Sequence, residues 1–340
     1  MWPGVASGTD VGVALACVPA LALAIDRLLG EPAARWHPVV WMGRWLAWAG
    51  ARLAPAAGTP RRLSDARVFW SSALSWCGAA AAVFAVAWLL QAWVLSQPAW
   101  LAALALGLCL KPLLAWAMLH DEVLAVEGEL GRSLDAGRVR LARLVSRDVT
   151  QLSPTQVRES AIESLVENLN DSLVAPLFWF VLLGLPGAAL FRFANTADAM
   201  WGYRGVRALD GVPRDWTWAG RWAARAGDVL AWVPAHITAL LILLLGSGLG
   251  AALATAARLP AEARRTPSPN SGWPMAAMAL ALGVRLGKPA VYVLNAAARP
   301  PEPADTLRAC AIGSRCALAV TLAACALLLG WQTGVGMGVE

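Results

Sequence analysis

Long apolar runs alternate with short charge-bearing segments along this chain, and that alternation limits its possible folds more than any other feature. Val11–Ile25, Val68–Leu95, Ala99–Leu119, Leu173–Phe191, Val229–Ala257 and Cys316–Gly336 are each apolar. Their lengths are at or near the ~20 residues that a helix needs to cross a bilayer. The first is slightly short and extends toward Val5. Ser96-Gln97-Pro98, between the second and third, reads as a tight helical hairpin. A further run, Met275–Leu294, is broken by Arg285, Gly287, Lys288 and Pro289, and is expected to be interfacial or buried in protein rather than spanning. Of the 340 residues, 58% are hydrophobic and 15% charged, against about 45–50% and about 25% in an ordinary soluble domain. Disorder, collagen, a coiled coil and a nucleic-acid-binding domain are thereby excluded. The expected class is all-α: a polytopic integral membrane protein with five to six apolar segments, forming one membrane-embedded domain over residues 1–340.

Nearly all the ionisable residues fall in four polar segments, 26–67, 120–172, 192–228 and 258–315. The first holds seven Arg against Asp26, Glu31 and Asp65, so the positive-inside rule places it in the cytoplasm. Segment 120–172 shares that side if the intervening hairpin crosses twice. Counting then meets a conflict, because a single crossing by 173–191 would put 192–228, with six Arg, outside. Pro176 and the Gly184-Leu185-Pro186-Gly187 break offer a way out, a re-entrant pair of half-helices, which is tolerated at membrane depth where protein or water covers the backbone. The six cysteines include no CxxC pair and read as small buried hydrophobes. Met1–Asp10 has no Lys or Arg, so it lacks the n-region of a cleavable signal.

The net charge is +6, with Lys111 and Lys288 the only lysines among 28 basic residues. A GC-rich genome accounts for most of that Arg bias, although the planar guanidinium also suits phosphate and carboxylate recognition. A P-loop, a G-x-S-x-G elbow and an HExxH motif are all absent. Gly246–Gly250 lies within an apolar run and reads as close helix packing.

Four polar motifs carry candidate chemistry. Ser153, Pro154 and Gln156 form a helix start with a capping box. The helix that follows has an apolar stripe of Ile162, Leu165, Val166 and Leu169, and a second stripe of Glu159, Glu163, Glu167 and Asn170 with Asp171 beside it. Like charges one turn apart destabilise a helix by a few tenths of a kcal/mol per pair. The acidic stripe is therefore either a solvated face or a site for a divalent cation such as Mg²⁺, which takes one or two carboxylates plus phosphate oxygens. Asn195 and Asp198 share a helix face just past an apolar segment; capping and a polar site are equally open there. Pro267–Gly272 is either a plain turn or an anion cradle. Asp26, at the end of the first apolar segment, is either half of an interfacial Asp–Arg pair or functional, and His37 is either structural or a general base.

Taken in order, these motifs resemble the CobD/CbiB family, the adenosylcobinamide-phosphate synthases of cobalamin biosynthesis. The resemblance runs over nearly the whole chain: DRLLGEP…HPVVWMG, KPLLA at Lys111–Ala115, RDVTQL, ESAIESLVENLNDSLVAPLFW, NTADAMWGYR, WVPAHITALL and PSPNSGWPMAAMALALGVRLG. It implies a multi-pass enzyme of the bacterial inner membrane with a cytoplasmic active site. The implied reaction joins adenosylcobyric acid to (R)-1-amino-2-propanol O-2-phosphate, or to free aminopropanol, with ATP and Mg²⁺. The corrinoid is substrate rather than prosthetic group. The partners implied are the two substrates and the lipid bilayer, without nucleic acid, and with room for a homo-oligomer or contact with later cobalamin-assembly enzymes.

Carried onto this sequence, the resemblance makes Glu163, Asp171, Asn195 and Asp198 catalytic candidates and Glu163, Glu167 and Asp171 metal candidates. Asp26, His37, Arg147, Asp148, Asn168, Tyr203, Ser268 and Asn270 become substrate- or nucleotide-binding candidates. The chain departs from the family pattern at Glu31 (usually Asp), at Thr266 (usually His) and at Gly227-Asp228, where a tandem-acid element keeps one carboxylate. The GVRALDGVPRDWTW stretch departs from it too. The rival readings are an AmpE-like membrane sensor, which would not need the acidic and amide motifs together, and a corrinoid transporter. Transporters tend to carry mid-span polar groups and inverted repeats.

Overall fold

A computed structural model describes residues 9–58 and 64–336. The possible extension toward Val5, and Arg61 and Arg62 of the first polar segment, lie outside the described residues. In chain order the helices are α1 (Thr9–Ala16), α2 (Val18–Leu29), α3 (Pro38–Leu53), α4 (Asp65–Leu95), α5 (Ala99–Leu110), α6 (Trp116–Leu130) and α7 (Leu134–Leu141). Next come α8 (Pro154–Leu169), α9 (Ala175–Leu183) and α10 (Leu185–Trp201), and then the hairpin β1 (Val206–Leu209) and β2 (Val212–Asp215). The chain continues through α11 (Arg221–Ala256), α12 (Leu259–Ala263), α13 (Gly272–Leu282), a second hairpin of β3 (Leu286–Lys288) and β4 (Tyr292–Leu294), and α14 (Pro303–Gly336).

The all-α class stands, and five helical stretches are long and apolar enough to cross a membrane: Asp65–Leu95, Ala99–Leu130, Pro154–Leu183, Arg221–Ala256 and Pro303–Trp331. The protein is a multi-pass membrane protein. Its lipid-facing chemistry is plainest on α4, where Trp70 and Trp93 are exposed 23 positions apart. At 1.5 Å per residue that is about 34 Å, close to a hydrocarbon thickness of ~30 Å, so the two indoles sit at interfacial spacing.

Contacts divide the chain into two compact units, and neither is contiguous in sequence. The first comprises Met1–Leu114, Pro176–Leu230 and Ala324–Glu340; the second comprises Ala115–Ala175 and Ala231–Ala323.

In the first unit the expected span over Val11–Ile25 is replaced by two short helices, α1 and α2. Pro19 lacks the N–H that would continue the helical ladder across the join. Both pack on α5, where Gly107 lets α2 come close: a Cβ there would stand 3.2 Å from that of Leu21. The break expected at Gly184 is present, with Gly184 at φ 72° and Pro186 at the second position of α10. The side chain of Gln91 in α4 accepts from the Leu185 N–H at 2.7 Å, satisfying one of the donors that the break exposes. The arms are not half-helices, however. On one side the helical stretch reaches back to Pro154, and on the other α10 continues through the polar NTADAM motif. The bend brings segment 192–228 onto segment 26–67: Ala57 donates to the Pro213 carbonyl and Asp215 to that of Pro55, both at 2.9 Å. The two Arg-rich segments therefore share one end of this unit, and the counting conflict disappears.

Indoles fill the core beneath them. Trp201 donates to the Leu46 carbonyl at 3.1 Å and stacks on Trp216, with Trp76 and Phe193 behind. Of the cysteines, only Cys310 and Cys316 are buried; Cys17 at the join of α1 and α2 and Cys77 on α4 are exposed, correcting the expectation of uniform burial. In the second unit, the first part of the run 275–294 is buried in protein as α13, where every residue except Trp273 is buried, while the β3–β4 hairpin that follows exposes Lys288–Val291.

Gly220 sits where a Cβ would fall 1.6 Å from the Trp201 carbonyl oxygen, while Gly78 has open space around its Cβ position. Gly220→Ala is expected to cost about 1–3 kcal/mol by overpacking, and Gly78→Ala to be neutral or slightly stabilising in its helix. Thermal unfolding of the two variants in detergent compares them directly.

Candidate functional site

The helix start expected at Ser153 is formed in full: Ser153 Oγ accepts from the Gln156 N–H and Gln156 Oε1 from the Ser153 N–H at 2.8 Å. From that start α8 buries Ile162, Leu165, Val166 and Leu169 completely. At Glu159 and Glu163 the acidic stripe is not a solvated face, since each is only 5% exposed. Glu159 accepts from Arg285 Nε at 3.2 Å, and Glu163 lies 3.8 Å from the Arg147 guanidinium, which also donates to Ser160. Glu163 Oε1 is buried with no hydrogen-bond partner, and so is Arg147 Nε. Tyr292 on β4 stands against Glu163; burial and the neighbouring Glu163 charge hold its phenol well above the usual range, so it stays protonated. Gln156, Glu159, Arg285, Lys288 and Tyr292 line a cleft of about 400 Å³ in the second unit, and the Arg147–Glu163 pair is next to that lining.

The surrounding structure fixes the two walls. Arg158 grips Glu127 of α6 through paired contacts of 2.8 and 3.0 Å, and Thr306 of α14 donates to the same carboxylate at 2.8 Å. Asn295, buried at φ 48°, ends the β3–β4 hairpin. Its side chain donates to the carbonyls of Ala279 and Val284, and its N–H donates to Glu262 at 2.8 Å. Past α8 the helix widens into a π turn over Asn170–Val174, a distortion common at functional sites. There Asn170 Oδ1 accepts from Thr238, and Asn170 donates to Asp171 at 2.8 Å.

The other expected residues of this unit have more local partners. Asp148 accepts from the N–H and hydroxyl of Thr150, and those bonds hold its carboxyl below the usual range. Asn168 turns back onto the Ser164 carbonyl. Ser268 Oγ accepts from the N–H groups of Asn270 and Ser271, so the PSPNSG turn uses these two donors internally; Asn270 is buried beneath it. Glu167 is exposed and Asp171 half-buried. Among the described residues, no three His, Cys, Asp or Glu side chains converge to hold a metal ion. Glu163, Glu167 and Asp171 therefore do not make the ready three-carboxylate site expected of them: one faces inward beside Arg147 while another faces outward.

The first unit holds a different group. Asp26 is buried 3.5 Å from the Lys111 ammonium, which is 3.0 Å from Glu31, and His37 Nε2 lies 3.1 Å from the same Glu31. The expected pair Asp26 and His37 thus belongs to one ionic cluster, but Asp26 is joined to Lys111. Asn195 and Asp198 lie on α10, both half-buried. Gly202 and Gly227 leave room for Asp198, since a Cβ at either would approach it within 2.0 and 3.1 Å. Tyr203 is covered on one ring face by Arg207 at 3.6 Å.

Sequence reasoning gave no site role to Lys111, Arg285, Lys288 or Tyr292. A usable signal existed in rarity, because the chain has two lysines and two tyrosines, and both lysines and Tyr292 stand in these clusters.

A family model described as CobD/Cbib protein matches residues 19–319. The chain belongs to the CobD/CbiB family. Among its relatives in that family is the "Probable cobalamin biosynthesis protein CobD" of Methanothermobacter thermautotrophicus, 39% identical over 91% of this chain and 96% of that protein. Proteins named "Cobalamin biosynthesis protein CobD" from Rhodobacter capsulatus (36% identical, 90% and 95% covered) and Chromobacterium violaceum (40%, 83% and 84%) are similar as well. No solved structure matches.

The Arg158–Glu127 pair is largely buried, with side-chain exposures of 15% and 11%. Removing one partner leaves an uncompensated charge and is expected to cost about 3–5 kcal/mol, whereas replacing both by apolar residues costs much less. Glu127→Leu should therefore unfold at a lower temperature than the Glu127→Leu/Arg158→Met double variant; equal melting temperatures would remove the pair's role in holding α8.

Proposed function

We propose that this CobD/CbiB protein acts in cobalamin biosynthesis as an adenosylcobinamide-phosphate synthase, at the cytoplasmic face of the bacterial inner membrane. It joins adenosylcobyric acid to (R)-1-amino-2-propanol O-2-phosphate, or to free aminopropanol, in an ATP-dependent C–N ligation. The observation that carries this reading is the cleft of the second unit, where Arg285 and Lys288 stand with the buried carboxylate of Glu159, next to the Arg147–Glu163 pair. Family membership supports it, and the Arg-rich end of the first unit supports the cytoplasmic side.

A carboxylate does not condense with an amine in water unaided, so the acid is first activated. A corrinoid carboxylate oxygen attacks the γ-phosphorus of ATP, ADP leaves, and an acyl phosphate results. The free amine then attacks the acyl carbon, phosphate departs with the C–O bonding pair, and the nitrogen gives up a proton to a base. The protein's work is to hold three reactants in register and to oppose the charge that develops on phosphate. Arginine forks suit the phosphate oxygens. Glu163, with an unfilled acceptor oxygen, is a base for the amine proton. Asn195 and Asp198, on the polar face of α10, are further candidates that the family resemblance supplies.

The donor set fits Mg²⁺ only as the companion of ATP, since the ion takes one or two carboxylates and completes its shell with phosphate oxygens and water. Glu167 and Asp171 would hold it, with Glu163 on the same helix, and it would neutralise triphosphate charge.

Purified full-length protein in detergent, given adenosylcobyric acid, aminopropanol phosphate and Mg·ATP, is expected to form the amide, read by mass spectrometry. Glu163→Ala, Asp171→Ala, Asn195→Ala and Asp198→Ala should each lose about 100-fold or more while reaching the membrane in wild-type amounts. Absence of amide from the wild type, or wild-type turnover in all four variants, contradicts the assignment.

A further inference from the structure

A groove of about 660 Å³ lies between α4, α10 and α11 of the first unit. Trp76, Ala80 and Phe84 of α4 line it, with Leu190 of α10 and Trp222 and Leu230 of α11. Both α4 and α11 are long and apolar enough to cross the membrane, and Ala81 and Val229, which also line the groove, are exposed. The open edge therefore meets lipid. Both helices start from the end that the two Arg-rich segments share, so they enter the bilayer in the same direction. Trp76 to Phe84 and Trp222 to Leu230 each cover eight positions, about 12 Å of helix. That is most of one leaflet of a ~30 Å hydrocarbon core.

Arg225 is the one charged residue among those lining the groove, and it is exposed without a hydrogen bond or ion pair among the described residues. Asp228, one turn further along α11, has Arg204 as its cationic neighbour instead. An arginine near the start of a spanning helix lays its methylenes along the apolar wall and lifts its guanidinium to the headgroups. Trp76 and Trp222 meet edge to face at 6.3 Å, and both indole N–H groups are buried without an acceptor. Buried donors of that kind cost free energy until an acceptor is supplied. An anionic phospholipid brings the missing parts together: a phosphate for Arg225, ester oxygens for the indoles and an acyl chain for the apolar trough. A zwitterionic lipid carries an ammonium that competes with the guanidinium for the phosphate. A second copy docked about a two-fold axis would set one Arg225 near the other.

We propose that this groove holds an acyl chain of an anionic phospholipid from the leaflet at the Arg-rich end, with Arg225 on its phosphate, as a bound lipid of the protein. The proposal is independent of the ligation reading. Full-length protein in mild detergent is titrated separately with dioleoyl phosphatidylglycerol and dioleoyl phosphatidylcholine, and bound lipid is counted by native mass spectrometry. One phosphatidylglycerol is expected to bind about fivefold more tightly than phosphatidylcholine, the weight of one basic residue against an anionic headgroup. Arg225 is exposed, so Arg225→Gln is expected to fold, and it should erase that preference. Ala81→Trp fills the groove from its exposed edge and should weaken both lipids about tenfold or more. Equal affinities in the wild type, a preference unchanged by Arg225→Gln, or binding unchanged by Ala81→Trp would overturn the proposal. So would a dimer that Ala81→Trp dissolves, since a second copy would then cover the groove. If Ala81→Trp does not fold, the Arg225→Gln comparison decides alone.

Discussion

Asp26 and Lys111 are almost completely removed from solvent and stand 3.5 Å apart, and most other features follow from the constraint they represent. In a scaffold this apolar, each buried charge must have an opposite one beside it, because an unpaired ion costs several kcal/mol against a total stability of about 5–15 kcal/mol. The same rule joins Arg158 to Glu127 and Arg285 to Glu159. Each pairing ties a helix to a partner distant in sequence, so the ionic pairs fasten the elements that the apolar faces only bring together. Glu163 is the loosest of these pairings: its nearest cation is 3.8 Å away and Oε1 has no hydrogen-bond partner, a shortfall it shares with Lys111 Nζ and Glu31 Oε1. A group left less than satisfied in so economical a structure is where chemistry is expected.

Much of the fold was legible because it depends on apolar length and on backbone chemistry. The hairpin at Ser96–Pro98, the capping box at Ser153 and the break at Gly184 each follow from residues with few conformational options. The first apolar run misled, since its length suggests one span while Pro19 interrupts the hydrogen-bond ladder. The re-entrant reading of 173–191 found the break but not the length of its arms. Amphipathic continuations into polar sequence carry no apolar signal, yet they lengthen both helices.

The candidate site was legible along α8 and little elsewhere. A 3.6-residue repeat puts Glu159, Glu163 and Glu167 on one face, but it cannot report that the first two are buried against Arg285 and Arg147 while the third faces outward. Those partners lie up to 126 residues away along the chain, and no local pattern encodes such a contact. Asp148 and Ser268 show the opposite error: side chains read as ligands for substrate are engaged in turns of their own backbone. Asx and Ser turns use the same residue types as anion sites, so composition does not separate them.

The proposed synthase activity passes through an acyl phosphate, and oxygen transfer tests that step most directly. Adenosylcobyric acid labelled with ¹⁸O in the reacting carboxylate is turned over with Mg·ATP and aminopropanol phosphate, and the inorganic phosphate released is analysed by mass spectrometry. The account predicts one ¹⁸O atom in each phosphate released per amide formed. Unlabelled phosphate, with amide still produced, would contradict it.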